Sequence, residues 1–444
     1  MVERVTRRAA LGALGLTGAV GVGMLASSDP AVSAPAPAPP PAPSGRLSMA
    51  SWLATRGQRY VVAHRGSGDV YPEHSLAAYR AAVAWGAQCL EISVAGTSDG
   101  TLICMHDATY DRTTTATGKI SELPASILRG VGIRAPQLGP AWTTPPLPAV
   151  PLFDEVLTEF GGRVILAVEA KDDTVYPAML AAVTARGLTD SIMVKAYYTS
   201  KRIAEAKQAG LPVFAYLGAA DEFTAAGIEA TTAQLKADTD AFIIPAYSGK
   251  GFVPDDLVAK SVRTGIPVWA GPVHRRVDAE HFFALGVAGV VASSYGYVAT
   301  RTPLARMSSW RYQSIAPGEM SKDPSGTAFA PGFAPDGAIT LAAQKSQHFL
   351  TLGQFCPLPD AESSYTVEVQ VSFPTLPTDR SAGVVVAFGH TDDAYYQLRS
   401  GLGGGYHALL RADGRLGLFA HQPGVSEGNN LGERETPARK SGSG

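Results

Sequence analysis

The chain alternates short apolar runs with helical patterns from residue 60 to about residue 294, and this alternation limits its fold more than any other feature. Each run is continuous and rich in Val and Ile, as in parallel strands that are covered on both faces. Amphipathic stretches of helical period lie between most of the runs. The nine candidate strands are YVVAH, CLEISV, LICMH, VILAVE, IMVKA, PVFAY, AFIIP, PVWA and GVVAS.

Repeated strand–helix units of this length favour the α/β class, either a (β/α)8 TIM barrel or a doubly wound sheet. We expect the barrel over residues 47–303. Nine candidates exceed eight places, so one of the runs lies off the barrel or is not a strand. Between CLEISV and LICMH there is no room for a helix, and parallel neighbours usually need a dozen or more connecting residues. The segment AGTSDG, fully extended, spans about 20 Å and is long enough to return along the barrel wall.

Beyond residue 303 the helical period disappears. Alternating apolar and polar residues, separated by Gly, Asp and Pro, predict an all-β, sandwich-like domain over residues 304–425. Residues 426–444 are polar and predict a disordered tail without a closing strand. The aromatic residues of the domain favour a structural core, and the alternative is contact with cell-wall carbohydrate. Those aromatic residues are Trp310, Tyr395, Tyr396 and Tyr406.

The amino terminus has the features of an export signal. Arg7 and Arg8 precede an apolar run rich in Gly and Ala, which predicts a twin-arginine signal peptide over residues 1–34 and an extracellular or cell-envelope location. The alternative is a retained membrane anchor, because residues 9–27 just reach spanning length. Residues 35–46 are rich in Pro and Ala and predict a stiff, extended linker.

Charge and cysteine content exclude two classes of protein. A formal net charge of −2 gives no electrostatic footprint for nucleic acid. Three cysteines cannot form a fully paired disulfide framework. Cys89 and Cys104 fall at core positions of successive runs, either as a disulfide or as two buried thiols. The sequence does not indicate an oligomeric state.

Chemistry-bearing residues collect at the ends of the candidate strands, which is where active sites of such barrels lie. Cationic side chains and a divalent ion bind phosphodiester oxygens, histidines transfer protons near neutral pH, and carboxylates hold Ca²⁺ or Mg²⁺. Singly, each residue is more often structural; together they favour phosphoryl chemistry. The residues are His64, Arg65, Glu91, His106, Glu169 and Lys171, with Lys195, Tyr247 and Trp269 as candidates for the substrate pocket.

The motifs HRG, PEHS, CLEIS, TSDG and HD, followed by DRTT and later by VEAK, occur in an order that resembles the glycerophosphodiester phosphodiesterase family. The resemblance covers roughly residues 60–300. It implies a (β/α)8 barrel, one divalent cation (Ca²⁺ or Mg²⁺), and hydrolysis of a small glycerophosphodiester to glycerol 3-phosphate and an alcohol. By the same resemblance, His64 and His106 match the acid–base pair, Arg65 and Lys171 the phosphate-binding residues, Glu91 and Glu169 the metal ligands, and Glu73 a neighbour of the metal.

Four features depart from the family pattern: Ser93, His74, Ser75 in place of a threonine, and the absence of an acidic residue from VVASSYG near the end of the last strand. Ser93 stands where the third metal carboxylate is expected, and it can serve a metal only directly or through water. His74 stands where the pattern has asparagine. Fewer charged ligands weaken binding in oxygen sites. The sequence therefore leaves three functions: an exported metal-dependent phosphodiesterase, a weakly active or non-catalytic barrel that binds a phosphodiester or cell-wall polymer, and a related lyase that forms a cyclic phosphate.

Overall fold

The computed structural model describes residues 5–12, 46–68, 71–135, 142–143, 145–248, 251–273, 276–300, 332–333, 339–340, 366–373, 383–388, 405–421 and 429–435. Two compact units divide the chain: residues 30–356, and residues 1–29 together with 357–444. Within the described ranges, no helix has the length and apolar character needed to cross a membrane.

Eight parallel strands of the larger unit form a closed barrel, in which the first strand pairs with both the second and the last. This confirms the predicted (β/α)8 fold. The strands are β1 (Tyr60–Ala63), β2 (Cys89–Gly96), β3 (Ile165–Ala170), β4 (Ile192–Tyr197), β5 (Val213–Tyr216), β6 (Ala241–Pro245), β7 (Val268–Val273) and β8 (Gly289–Ala292).

One helix precedes β1, one lies between each successive pair of barrel strands, and one follows β8. The second of these begins at an N-cap, where the Ser75 hydroxyl accepts from the Ala78 amide, and it ends before Gly86, whose φ is 96°. The helices are α1 (Met49–Thr55), α2 (Leu76–Ala84), α3 (Phe153–Phe160), α4 (Val175–Ala185), α5 (Arg202–Gln208), α6 (Ala225–Thr232), α7 (Asp255–Val262), α8 (Arg276–Ala284) and α9 (Tyr295–Thr300). Short 3₁₀ turns occupy His64–Gly66, Ile120–Glu122, Ala125–Gly130 and Thr189–Ser191.

The ninth predicted run, LICMH, is not a barrel strand. Leu102–Cys104 pairs antiparallel with the end of β2, so that Val94 lies opposite Cys104. The prediction of an extended crossover is therefore wrong: the chain reverses near Gly100, whose φ is 81°, and returns beside β2 as a hairpin. This return path brings His106 to the barrel rim, because the amide of Met105 donates to the carbonyl of Ser93.

The strict alternation of β2 sorts its side chains between two cores. Leu90, Ile92 and Val94 pack in the core that includes the helices, whereas Cys89 packs inside the barrel with residues of α1. By the same alternation Glu91 and Ser93 also face the interior, and both are fully buried. Cys89 and Cys104 are buried free thiols in separate clusters, so the disulfide alternative is wrong.

The described strands of the smaller unit are antiparallel, as predicted. Gly383–Phe388, Gly405–Arg411, Arg415–His421 and Asn429–Glu435 form a four-stranded sheet, and Val5–Gly12 pairs with Thr366–Phe373. Within the larger unit, Gly332–Phe333 pairs antiparallel with Ile339–Thr340, and Tyr247–Ser248 pairs antiparallel with Gly251–Phe252. A second layer that would make a sandwich stays a prediction.

The carboxyl-terminal segment departs from its predicted disorder, because Asn429–Glu435 is a strand. All seven of its residues are exposed, and its pairing with Arg415–His421 depends on backbone hydrogen bonds rather than on an apolar pattern. Of the aromatic residues considered for carbohydrate contact, Tyr406 is described and is 45% exposed. Trp310, Tyr395 and Tyr396 lie outside the described residues, as does most of the predicted signal and linker.

Candidate active site

The carboxyl ends of β2, β3 and β4 place charged residues at adjacent positions of the barrel rim. The register of β2 and β3 sets Ser93 directly beside Glu169. Glu91 lies two residues earlier on the same face, and Lys195 extends from β4 toward both carboxylates. The three side chains therefore meet because strand register and alternation require it.

Lys195 bridges the two buried carboxylates. Its Nζ lies 2.7 Å from Oε1 of Glu91 and 2.9 Å from Oε2 of Glu169. Glu169 also accepts from the Tyr216 hydroxyl at 2.8 Å and from Lys171 at 3.3 Å. Burial opposes ionisation of both carboxyls, but the Lys195 charge outweighs it and holds the pKa of Glu91 well below its usual range and that of Glu169 at about 2.

The turn after β1 directs a backbone donor at the same cluster. Arg65 adopts a left-handed conformation with φ 51°, and its amide donates to Oε2 of Glu91 at 3.1 Å. Gly66 follows with φ 75°, and a Cβ there would lie 2.7 Å from the Tyr79 ring, so only glycine fits. Positive φ values also occur at Ser67 and His74. Such strained backbone concentrates at functional sites.

A second set of ion pairs links the first loop to the hairpin. Oε1 of Glu73 accepts from Arg65 at 3.0 Å and from Arg112 at 2.8 Å. Arg112 also donates to both oxygens of Asp107. Hydrogen bonds from Arg112 and His106 hold the pKa of Asp107 at about 2. Nδ1 of His106 lies 2.8 Å from Oδ1 of Asp107. Because an ionised carboxylate only accepts, this contact places the proton of neutral His106 on Nδ1 and leaves Nε2 as the base.

Both histidines are neutral near pH 7. Burial and the charge of Arg65 lower the pKa of His64 to about 3, and its Nδ1 lies 2.7 Å from the Ser293 hydroxyl. Burial, Arg65 and Lys171 lower the pKa of His106 as well. Arg65 and Glu91 act electrostatically on both imidazoles, so the two histidines belong to one site.

A family model matches the segment that contains much of this site. Residues 64–179 match the model of the glycerophosphoryl diester phosphodiesterase family. Those residues carry His64, Arg65, Glu91, His106 and Glu169.

Curated relatives match part of this chain. A probable glycerophosphodiester phosphodiesterase 1 of Mycobacterium tuberculosis is 47% identical over 73 residues, which are 16% of this chain and 27% of that protein. A glycerophosphodiester phosphodiesterase of Bacillus subtilis is 33% identical over 122 residues, which are 27% of this chain and 42% of that protein. The chain thus spans less than half the length of these relatives.

Solved structures of glycerophosphodiester phosphodiesterases are similar to part of this chain. An Oleispira antarctica phosphodiesterase in complex with the product sn-glycerol-3-phosphate has a TM-score of 0.44 and 20% identity, covering 54% of this chain and 95% of that one. A glycerophosphoryl diester phosphodiesterase from Parabacteroides distasonis has a TM-score of 0.47 and 15% identity, covering 59% and 95%.

The residues predicted to hold a divalent cation do not fit one. The Lys195 ammonium lies between Glu91 and Glu169, and Lys171 also contacts Glu169, so two carboxylates face two ammonium groups. Ser93 adds a buried hydroxyl without charge, and affinity in oxygen sites depends on ligand charge. Glu73 is bound to two arginines instead. Across the described ranges, no group of three His, Cys, Asp or Glu side chains is arranged to hold a metal ion.

One of the three predicted pocket residues lies elsewhere. Trp269 is fully buried and packs against Trp52 and Tyr60, near the amino ends of the barrel strands, because its position in β7 faces the interior core. The described contacts of Tyr247 are with Asp278 and with the Phe252 ring. The prediction for Trp269 is therefore wrong. Lys195 lies at the site, although as the partner of the two carboxylates.

Three residues of the site were not predicted as functional. Tyr216 ends β5 and binds Glu169, Ser293 follows β8 and contacts His64, and Arg112 joins Glu73 to Asp107. The position of Tyr216 at a strand end was the available signal, since the other site residues were found in that way. Arg112 follows a hairpin, and sequence does not specify which carboxylates its side chain reaches.

His74 predicts a measurable pH dependence of stability. Burial lowers its pKa to about 3, against about 6.5 when unfolded, so the neutral form is favoured in the folded state. With respect to His74, the folded state therefore keeps its full stability above about pH 6.5 and loses stability as the pH falls toward 3. Over this range the unfolded chain binds a proton at His74 that the folded chain excludes. We expect His74→Asn, which suits the φ of 58°, to lose about 2 kcal/mol less stability than wild type between pH 7 and pH 5.

Urea denaturation at each pH, followed by circular dichroism at 222 nm, measures this difference. All described helices lie within residues 49–300, so the signal follows the barrel. The slope against pH is the result of interest, since the variant also loses the 2.7 Å contact between Nδ1 and the Tyr79 hydroxyl. If wild type and His74→Asn lost equal free energy of unfolding between pH 7 and pH 5, the lowered pKa of His74 would be contradicted.

Proposed function

We propose that the barrel hydrolyses glycerophosphodiesters to glycerol 3-phosphate and an alcohol. The observation that carries this proposal is the meeting of two neutral histidines with Arg65 and lysine ammonium groups at one rim, within the segment that matches the family model. The names of the partial relatives support the same substrate class.

The cationic side chains would bind the phosphodiester. Arg65 is oriented by Glu73, and Lys171 keeps 21% of its side chain exposed while contacting Glu169. Guanidinium and ammonium groups donate charge-assisted hydrogen bonds to phosphate oxygens, and these bonds strengthen as negative charge develops there. Preorganisation by buried carboxylates keeps the donors in place without rearrangement during the reaction.

The two histidines would move the protons. A water oxygen attacks phosphorus while one neutral imidazole takes the water proton, and the bond from phosphorus to the alcohol oxygen breaks. The other imidazole, after taking up a proton when the anionic substrate binds, donates it to the departing alkoxide. Asp107 accepts a hydrogen bond from Nδ1 of His106 and so leaves Nε2 of His106 free to exchange a proton with the reacting groups.

Export by the twin-arginine route is a further part of the proposal. It is supported by Arg7, Arg8 and the apolar run that follows them. Fusion of residues 1–46 to a reporter that is active only after folding and export would test it, and lysine at both arginines is the matched control. A reporter that is exported equally well from both fusions would contradict the route.

Purified chain is expected to release glycerol 3-phosphate from glycerophosphocholine or glycerophosphoethanolamine. Turnover is measured in Ca²⁺, in Mg²⁺ and in chelator, and phosphorus NMR identifies the product. Absence of turnover in all three conditions, with a folded circular dichroism spectrum, would overturn the enzyme proposal in favour of a binding barrel. A cyclic phosphate as the final product would instead indicate a lyase.

A further inference from the structure

Lys195 occupies the central position of the carboxylate cluster. Its Nζ contacts Glu91 and Glu169 at 2.7 and 2.9 Å, and the Tyr216 ring centroid is 5.0 Å away. Only 13% of the side chain is exposed, and Glu91 is fully buried. A buried carboxylate requires a positive partner, and this ammonium supplies it from within the chain.

The charges of the cluster favour an ammonium over a divalent ion. A three-carboxylate set would carry three negative charges, but Ser93 leaves two, and Lys195 reduces them to one. The ammonium of Lys171 beside Glu169 removes the last. A divalent ion between Glu91 and Glu169 would meet Lys195 at close range and would find no net negative charge to bind.

We propose that Lys195 takes the place of a divalent cation in this site, so that the barrel binds and cleaves its phosphodiester without a metal ion. An ammonium has three donors; Glu91 and Glu169 use two, and the third serves a phosphate oxygen of the substrate. Ser93 removes one negative charge from the cluster and Lys195 adds a positive one, and both changes make a metal ion unnecessary there. This inference rests on the proposed function for its substrate, but its metal-binding part stands alone.

Calorimetric titration of the full chain with Ca²⁺ alone, and then with Mg²⁺ alone, tests the metal-binding part. We expect no saturable binding by wild type and no change in Tm in either ion. The double variant Ser93→Asp/Lys195→Gln restores three carboxylates without the ammonium, and we expect its Ca²⁺ affinity to exceed that of wild type at least about tenfold, with a rise in Tm.

Lys207→Gln is the matched control. Lys207 also pairs with a buried carboxylate, Asp240, at 2.9 Å, but Asp240 precedes β6 at the opposite end of the barrel. This variant should gain no affinity for Ca²⁺. Saturable Ca²⁺ or Mg²⁺ binding by wild type would overturn the proposal, as would a folded double variant that gains no affinity.

If the double variant does not fold, two measurements on the wild-type protein still test the proposal. The wild-type titration needs no variant, and turnover of glycerophosphocholine by wild type should be equal in chelator and in Ca²⁺. Loss of turnover in chelator would overturn the inference while leaving the phosphodiesterase proposal intact. Absence of turnover under every condition would overturn the proposed function, and the titrations would still decide whether Lys195 excludes metal.

Discussion

Replacing His106 with alanine is expected to lower kcat/KM for glycerophosphodiester hydrolysis by about 10²- to 10⁴-fold. The side chain is 33% exposed and makes its described hydrogen bond to neighbouring Asp107, so its removal leaves the core packing unchanged. The loss should therefore appear in turnover while the urea unfolding curve stays close to that of wild type. Steady-state kinetics on glycerophosphocholine measure the effect.

His407→Ala is the matched control for this variant. His407 stacks on Phe419 in the sheet of the smaller unit, at a ring distance of 4.7 Å, and belongs to a different compact unit from the barrel. Its replacement should leave kcat/KM unchanged. Equal activity of His106→Ala and wild type would remove His106 from the acid–base pair, and a large loss with His407→Ala would show that histidine substitutions act through folding.

Strand positions in the barrel were predictable because they depend on local pattern. Continuous Val- and Ile-rich runs separated by amphipathic helices allow few arrangements besides a closed parallel sheet. Alternation along CLEIS then places Glu91 and Ser93 on one face without any knowledge of the neighbours. The same alternation gives Cys89 an interior position, and its separation from Cys104 follows once the hairpin is known.

The direction of the hairpin and the partners of the charged residues were not predictable in this way. LIC is apolar whether the strand runs parallel or antiparallel, and the reversal depends on a turn at Gly100. Which carboxylates Lys195 reaches depends on the relative register of β2, β3 and β4, a tertiary quantity. Sequence therefore grouped charged residues that meet at this rim, but it did not place Lys195 between Glu91 and Glu169.

Replacing Glu91 with glutamine is expected to lower the free energy of unfolding by about 3–5 kcal/mol, because it removes one carboxylate of a buried ion-pair cluster and leaves the Lys195 ammonium with Glu169 as its remaining carboxylate contact. The amide would place one donor group against either the Lys195 ammonium or the Arg65 amide, both of which now donate to Glu91. Urea denaturation at pH 7, followed at 222 nm, measures the change in the barrel.

The same substitution at an exposed ion pair shows how much of the expected loss in stability is due to burial of the pair. Glu159 pairs with Arg80 at 2.6 Å, yet 48% of the arginine side chain is exposed, so Glu159→Gln should cost less than about 1 kcal/mol. Lys195→Met alone and together with Glu91→Gln completes a double-mutant cycle, and we expect the two losses to add to more than the loss in the double variant, because each single substitution removes the same contact between Glu91 and Lys195. If Glu91→Gln lowered the free energy of unfolding no more than Glu159→Gln does, the contact between Lys195 and Glu91 would not stabilise the fold.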